Sequence, residues 1–321
     1  MLTLLLNSLV PIFAGLLLGY VAGRRGLIDN KDVRSLIALA MNIAVPCALV
    51  SIIIETPRAL LENQATTAIA IALVFIGLYA ACYFWARQSL HMSIADSSVL
   101  ALTIGFPNAA VALPLLSDTA VQAGMIFGAH AAVPAALSLV IGSITVSPVT
   151  LALLEAQRNS NGGAITFRTL LRSLPRAAVR PVVWAPLLAL ACVALNLNFP
   201  SYLRGTLLML GNAAAGSALI LTGVVVSAQR FRLEASVLVA SLAKLLLQPV
   251  LALGVTMLLH MSQHQIRDVM VISAIPCGFF GLVFGSSFKA TPEVASSSLI
   301  ASYALGWITL SMWLVVSARV S

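Results

Sequence analysis

Two short proline-containing stretches interrupt long apolar segments, one in each half of the chain, and both contain residue types that could bind a solute. Proline has no amide hydrogen and fixes its own φ, so a helix tends to break there. Paired broken helices are the best sequence indication of a transporter's binding site at the bilayer midplane. The stretches, residues 104–110 and 274–279, supply six candidate substrate-binding residues: Pro107, Asn108, Ala109, Pro276, Cys277 and Gly278.

A broken helix exposes carbonyl groups before the break and amide groups after it. The positive end of the second half-helix then suits an anion. The alternative is that Pro107 and Pro276 are plain kinks stabilised by neighbouring helices. The functional interpretation is favoured because both prolines lie beside glycine and small residues at corresponding places in the two halves.

Four further polar residues lie within apolar segments. Lys244 falls near the middle of its segment, where a lysine is costly and indicates function by default. It could bind a carboxylate, or it could hold carbonyls at a broken helix. His130 could bind substrate or carry a proton, although a structural hydrogen bond between helices is the commoner role. Asn42 and Asn212 could line the site or bond across helices.

Several classes of function lack their usual residues. No Asp or Glu lies deep in an apolar segment, which argues against a cation substrate and a carboxylate proton relay. No nucleophile motif, zinc motif or phosphate loop is present, so we predict no catalytic residue, no metal site and no cofactor. A coupling ion, either Na+ held by backbone carbonyls or H+, remains compatible with the sequence.

Composition places the chain in a membrane. Hydrophobic residues make up 60% and charged residues 9%, whereas soluble domains carry about 25% charged residues. The mean hydropathy is +1.02. In lipid such segments must be helices. Ten are predicted, at residues 2–22, 35–54, 65–86, 94–116, 121–143, 181–197, 206–226, 235–259, 269–288 and 294–316.

The basic residues indicate orientation. Of 18 Lys and Arg, 13 fall in the odd-numbered loops between these segments, and the even-numbered loops and C-terminus hold four. The positive-inside rule therefore predicts odd loops in the cytoplasm and both termini outside. The net charge is +8, but the basic residues are dispersed in short loops, so we predict no nucleic-acid partner.

The two halves also match when the chain is shifted by 170 residues, which aligns Asn42 with Asn212 and Pro11 with Pro181. We predict a five-helix repeat over residues 1–154 and a second, inverted repeat over residues 181–321. Residues 155–180 form the linker between them. The linker contains either a helix lying on the cytoplasmic surface or an ordinary basic loop.

With these motifs in view, the chain resembles the auxin efflux carrier family, most closely the bacterial branch that includes malonate transporters. The resemblance rests on residues 9–13, 18–20, 23–28, 105–114 and 275–281. It implies an all-α membrane protein of ten transmembrane helices, built as two inverted five-helix repeats. Broken helices 4 and 9 would cross at the midplane, with the family's crossover prolines at Pro107 and Pro276 and the substrate beside them.

The resemblance further implies a scaffold of helices 1, 2, 6 and 7 against a moving bundle, often in a homodimer. The auxin substrate does not carry over, because the plant members' long cytoplasmic loop is absent and their Asn-Pro motif appears here only as Phe106-Pro107-Asn108. We expect a non-enzymatic secondary transporter in a bacterial inner membrane. It would move a malonate-like mono- or dicarboxylate by alternating access, as a symporter. A membrane sensor or an anion channel is the alternative.

Overall fold

The computed structural model describes residues 2–30, 33–55, 58, 64–108, 132–159, 175, 179–228 and 231–320 of the 321-residue chain. Within these ranges every regular element is helical. In the described part of the chain, six helices are long and apolar enough to cross a membrane: Ser35–Glu55, Ala65–Gln88, Leu137–Asn159, Ser201–Ser227, Ala235–Leu258 and Glu293–Ser317. Shorter apolar helices cover Phe13–Arg24, Ile94–Gly105 and Pro181–Ala194. The protein is thus an all-helical membrane protein, and the ten-helix inverted repeat remains a prediction.

The helices are numbered in chain order. The first half contains α1 (Leu2–Arg24), α2 (Arg34–Leu39), α3 (Val45–Glu55), α4 (Ala65–Gln88), α5 (Ile94–Gly105), α6 (Ala132–Ile144) and α7 (Val146–Asn159). The second half contains α8 (Pro181–Ala194), α9 (Ser201–Ser227), α10 (Ala235–Leu242), α11 (Gln248–Leu258), α12 (Gln263–Ala274), α13 (Phe280–Ser287) and α14 (Glu293–Val320). Wider π-helical turns, Ala40–Ala44 and Ala243–Leu247, join α2 to α3 and α10 to α11.

The fifth predicted segment extends further than its sequence boundary of residue 143. Helices α6 and α7 continue it to Asn159, because Pro148 lies in the first turn of α7, where a missing amide hydrogen is tolerated. Glu155, assigned from sequence to the start of the linker, is therefore inside a helix and buried. Most of the predicted surface helix of the linker lies outside the described residues.

Helices α1 and α9 run side by side and touch through their backbones. A Cβ added to Gly19 would lie 2.1 Å from the carbonyl oxygen of Ile220, and one added to Gly223 would lie 2.2 Å from that of Leu16. Only glycine permits such an approach, which is the usual way that membrane helices pack tightly. These two helices therefore form one closely joined pair.

The remaining contacts divide the described helices into two sets. Helix α3 packs against both α8 and α9, so α1, α3, α8 and α9 form the first set. Helix α5 packs against α4, α7 and α13, while α12 packs against α11 and α14. The two helices that end at the proline stretches, α5 and α12, thus both belong to the second set.

Candidate functional site

Both proline stretches interrupt helices, as the sequence predicts. Helix α5 ends at Gly105, and Phe106 is extended, with φ −106° and ψ 119°. Helix α12 ends at Ala274, and Ile275 is extended, with φ −63° and ψ 139°. Each extended residue directly precedes a proline, whose ring disfavours helical geometry at that position.

The two interruptions meet, and we call residues 106–108 with residues 276–278 the crossing. Pro107 and Cys277 face each other as an isolated antiparallel bridge. The amide nitrogen of Asn108 donates to the carbonyl oxygen of Pro276 at 3.0 Å, and that of Gly278 donates to the carbonyl oxygen of Phe106 at 2.8 Å. Each stretch therefore satisfies backbone groups that the other exposes where its helix breaks.

These hydrogen bonds differ from the sequence expectation that the amides at the breaks are open to a solute. The amides of Asn108 and Gly278 donate within the crossing, and the amide of Cys277 donates to Oγ of Ser302 at 3.1 Å. Backbone groups at the break thus hold the two stretches together in this structure. Ala109 and His130, two other predicted site residues, lie outside the described residues.

A tyrosine that sequence reasoning missed connects both stretches. Nδ2 of Asn108 donates to the hydroxyl oxygen of Tyr303, and that hydroxyl donates to the carbonyl oxygen of Cys277 at 3.3 Å. Tyr303 is 1% exposed and lies on α14. The available signal was the adjacent pair Ser302 and Tyr303 in the middle of a long hydrophobic helix.

Lys244 lies next to the crossing, in the π-helical turn Ala243–Leu247. Its Nζ donates to Oε1 of Gln248, and Nε2 of Gln248 donates to the carbonyl oxygen of Gly105 at 2.8 Å. One amide side chain thus links the lysine to the last residue of α5. Single π-helical turns within helices occur frequently at functional sites.

The charge on Lys244 has no anionic partner in the described part of the chain. The side chain is fully buried, its hydrogen bond goes to a neutral amide, and the ion pairs found involve other residues. Buried charges in proteins are normally paired or coordinated. The arrangement can therefore accept a negatively charged group.

The two asparagines matched by the repeat lie elsewhere. Asn42 is exposed in the turn Ala40–Ala44 and lines a separate cavity. Asn212 is exposed on α9. Neither has a hydrogen bond to the described residues of the crossing. Among all the residues that the structure describes, no three His, Cys, Asp or Glu side chains lie together as a metal site would require.

A family model described as "membrane transport protein" matches residues 4–314. The chain belongs to this family. The match confirms the resemblance to the auxin efflux carrier family, while the malonate-transporter branch remains a prediction. The chain is thus an integral membrane protein of a transporter family, which favours transport over catalysis.

Similar proteins are also described as transporters. An "uncharacterized transporter YfdV" of Escherichia coli, and its counterpart in Shigella flexneri, are 28% identical to this chain over 326 residues and cover all of both sequences. An "uncharacterized transporter" of Methanothermobacter thermautotrophicus is 23% identical over 321 residues, 97% of each chain. These descriptions name no substrate for the relatives.

Proposed function

We propose that this transporter is a secondary carrier for a small organic anion, a mono- or dicarboxylate such as malonate. The observation that carries the proposal is the fully buried Lys244, which has no carboxylate partner among the described residues and is linked through Gln248 to the broken end of α5. An incoming carboxylate would supply the missing negative charge. Asn108 and Tyr303 form a separate buried hydrogen-bonded pair at the crossing.

The chemistry of an ammonium group fits this role. A lysine has three N–H donors, and one of them donates to Gln248, so two can reach the oxygens of a carboxylate. Removing an ammonium group from water costs several kcal/mol. A bound anion offsets part of that cost, so solute binding and the burial of Lys244 stabilise each other.

The burial of the site supports alternating access. Lys244, Asn108 and Tyr303 are all inaccessible in this structure, so a solute can reach them only after helices move. We propose that the set containing α5 and α12 moves against the set containing α1, α3, α8 and α9. The crossing would then travel as one unit, because its two stretches are hydrogen-bonded to each other.

The remaining features of the proposal follow the sequence predictions. The carrier would lie in a bacterial inner membrane, with its odd-numbered loops in the cytoplasm and both termini outside. It would work as a symporter with Na+ or H+ as coupling ion, surrounded by lipid and associated as a homodimer. Transport under an imposed sodium gradient, compared with an imposed pH gradient, identifies the ion.

Uptake of radiolabelled malonate into proteoliposomes tests the proposal. We expect saturable uptake, acceleration by unlabelled malonate trapped inside, and competition by other small carboxylates. Flux that rises linearly with concentration would instead indicate a channel. Thermal stabilisation by malonate without any flux would indicate a sensor, since a ligand stabilises whichever state binds it. Neither stabilisation nor flux with any small carboxylate would overturn the anion proposal.

A further inference from the structure

A cavity of about 190 Å³ lies away from the crossing, between the ends of several helices. It is lined at its polar positions by Asn42, Arg180 and Ser287, together with the ring of Phe288. These residues come from the turn after α2, the start of α8 and the end of α13. The positive-inside rule predicts that the start of the span Ser35–Glu55, the start of α8 and the end of α13 lie on the cytoplasmic side.

The cationic group at this cavity is Arg180. Its guanidinium nitrogen lies 3.1 Å from Oε1 of Glu155, and its side chain is 38% exposed. Glu155 also binds Arg158, with a nitrogen–oxygen distance of 2.5 Å. Both guanidinium groups lie over the ring of Phe288, at 5.8 Å for Arg180 and 5.3 Å for Arg158. One buried carboxylate therefore serves two arginines, which leaves the cluster with a net positive charge.

We propose that this cavity is a second anion-binding site, the cytoplasmic access site, which receives the transported carboxylate before it reaches Lys244. This inference rests on the proposed carrier function. Arg180 supplies the positive charge, and its planar fork can bind a carboxylate through two parallel hydrogen bonds. Asn42 and Ser287 contribute neutral polar groups. Glu155 competes with the solute for Arg180, so the arginine is occupied when no solute is present.

The competing interpretation is that the cluster has only a structural role and holds α7 against the start of α8 and the end of α13. The two interpretations differ in a measurable way. A fastening role predicts that changes at Glu155 and Arg180 alter stability alone. The access site predicts that they alter solute binding in opposite directions, because one residue attracts the anion and the other competes with it.

The test uses Ser287→Cys, which places a thiol at an exposed position of the cavity wall. Inside-out vesicles are labelled with a membrane-impermeant maleimide, with and without malonate, and labelling of the parent protein corrects for its own cysteines. We expect malonate to slow labelling. Adding Arg180→Gln should raise the malonate concentration needed for protection by about tenfold or more, because charge-assisted hydrogen bonds are lost. Adding Glu155→Gln should lower it.

Arg232→Gln is the matched control. Arg232 also forms ion pairs in a predicted cytoplasmic loop, with Glu234 at 3.7 Å and Glu293 at 3.4 Å, but lies outside the cavity lining. Protection should be unchanged in this variant. If Arg180→Gln fails to fold, Arg180→Lys keeps the charge beside Glu155 and removes the fork, and weaker protection is again expected. Protection that is absent, or indifferent to Arg180, would overturn the access site.

The same assay separates this inference from the carrier proposal. In a Lys244→Met background transport should fall by about thirtyfold or more, while malonate still protects the thiol at position 287. Protection without transport in the parent protein would retain an anion-binding site at this cavity and reject the carrier. Transport without protection would retain the carrier and reject the anion-binding site at this cavity.

Discussion

The carbonyl oxygen of Gly105, the last residue of α5, accepts a hydrogen bond of 2.8 Å from Nε2 of Gln248. A helix end leaves carbonyl groups without partners, and here a side chain from another helix supplies one. Because Oε1 of the same amide accepts from Lys244, both ends of Gln248 are fixed. A carboxylate that draws Lys244 away would free Oε1 and loosen this attachment to α5. In the proposed mechanism this contact would couple solute binding to the broken helix.

Lys244→Met should separate stability from transport. Lys244 is a buried cation with no ion pair among the described residues, so replacing it by an apolar chain of similar volume is expected to leave the melting temperature unchanged or higher. Malonate uptake should fall by about thirtyfold or more, equivalent to about 2 kcal/mol for a lost buried charge contact. Lys289→Met, at an exposed position, is the control and should transport normally. Uptake like that of the parent protein in Lys244→Met would remove the lysine from the site.

Gly278→Ala should force the crossing apart. A Cβ at this position would lie 2.4 Å from the carbonyl oxygen of Phe106, the same oxygen that accepts from the amide of Gly278. Overpacking of this kind costs about 1–3 kcal/mol, and uptake should fall with stability. Gly77→Ala is the control, since a Cβ there meets nothing within 4 Å and alanine favours a helix by about 0.5–1 kcal/mol. Thermal unfolding in detergent measures the stability of both variants. Equal melting temperatures for Gly278→Ala and Gly77→Ala would contradict the prediction.

Tyr303→Phe should weaken the link between the two stretches. The change removes the hydroxyl that accepts from Asn108 and donates to the carbonyl oxygen of Cys277. Leaving a buried polar group without this partner costs about 1–3 kcal/mol. We expect a lower melting temperature and slower malonate uptake. Tyr202 is 75% exposed, so Tyr202→Phe is the control and should change neither the melting temperature nor the uptake rate. A comparable loss of stability and uptake in both variants would argue against a specific role for Tyr303.

Replacing Pro107 or Pro276 by alanine should impair transport more than Pro11→Ala, which changes a proline within α1. Alanine restores an amide hydrogen and lets the preceding residue become helical, so the helix can grow into the crossing. At Pro276 the ring also fills space beside Gly306, where an added Cβ would lie 2.8 Å from its Cγ. The measurement is the rate of malonate uptake, compared among the three variants. Similar losses in all of them would leave only the kink interpretation.

The local features of the site were predictable from sequence, and its long-range contacts were not. Prolines break helices through their own geometry, so both interruptions were foreseen. The hydrogen bond between Asn108 and Tyr303 joins residues 195 positions apart, and no local pattern encodes that distance. The repeat aligned Asn42 with Asn212, but equivalent positions in two halves need not touch. The predicted fifth segment stops at residue 143, whereas the helix continues to Asn159 because a proline in a first helical turn, here Pro148, is tolerated.

The mutual hydrogen bonding of the crossing has a consequence for biosynthesis. The ribosome completes residues 106–108 long before residues 276–278. When the first half enters the membrane, the amide of Asn108 therefore lacks its acceptor and the carbonyl of Phe106 lacks its donor. Lipid offers such groups no partner. The nascent first half must therefore keep them near water or the insertion machinery until translation supplies the rest. The two halves mature together, and neither can complete this part of the structure alone.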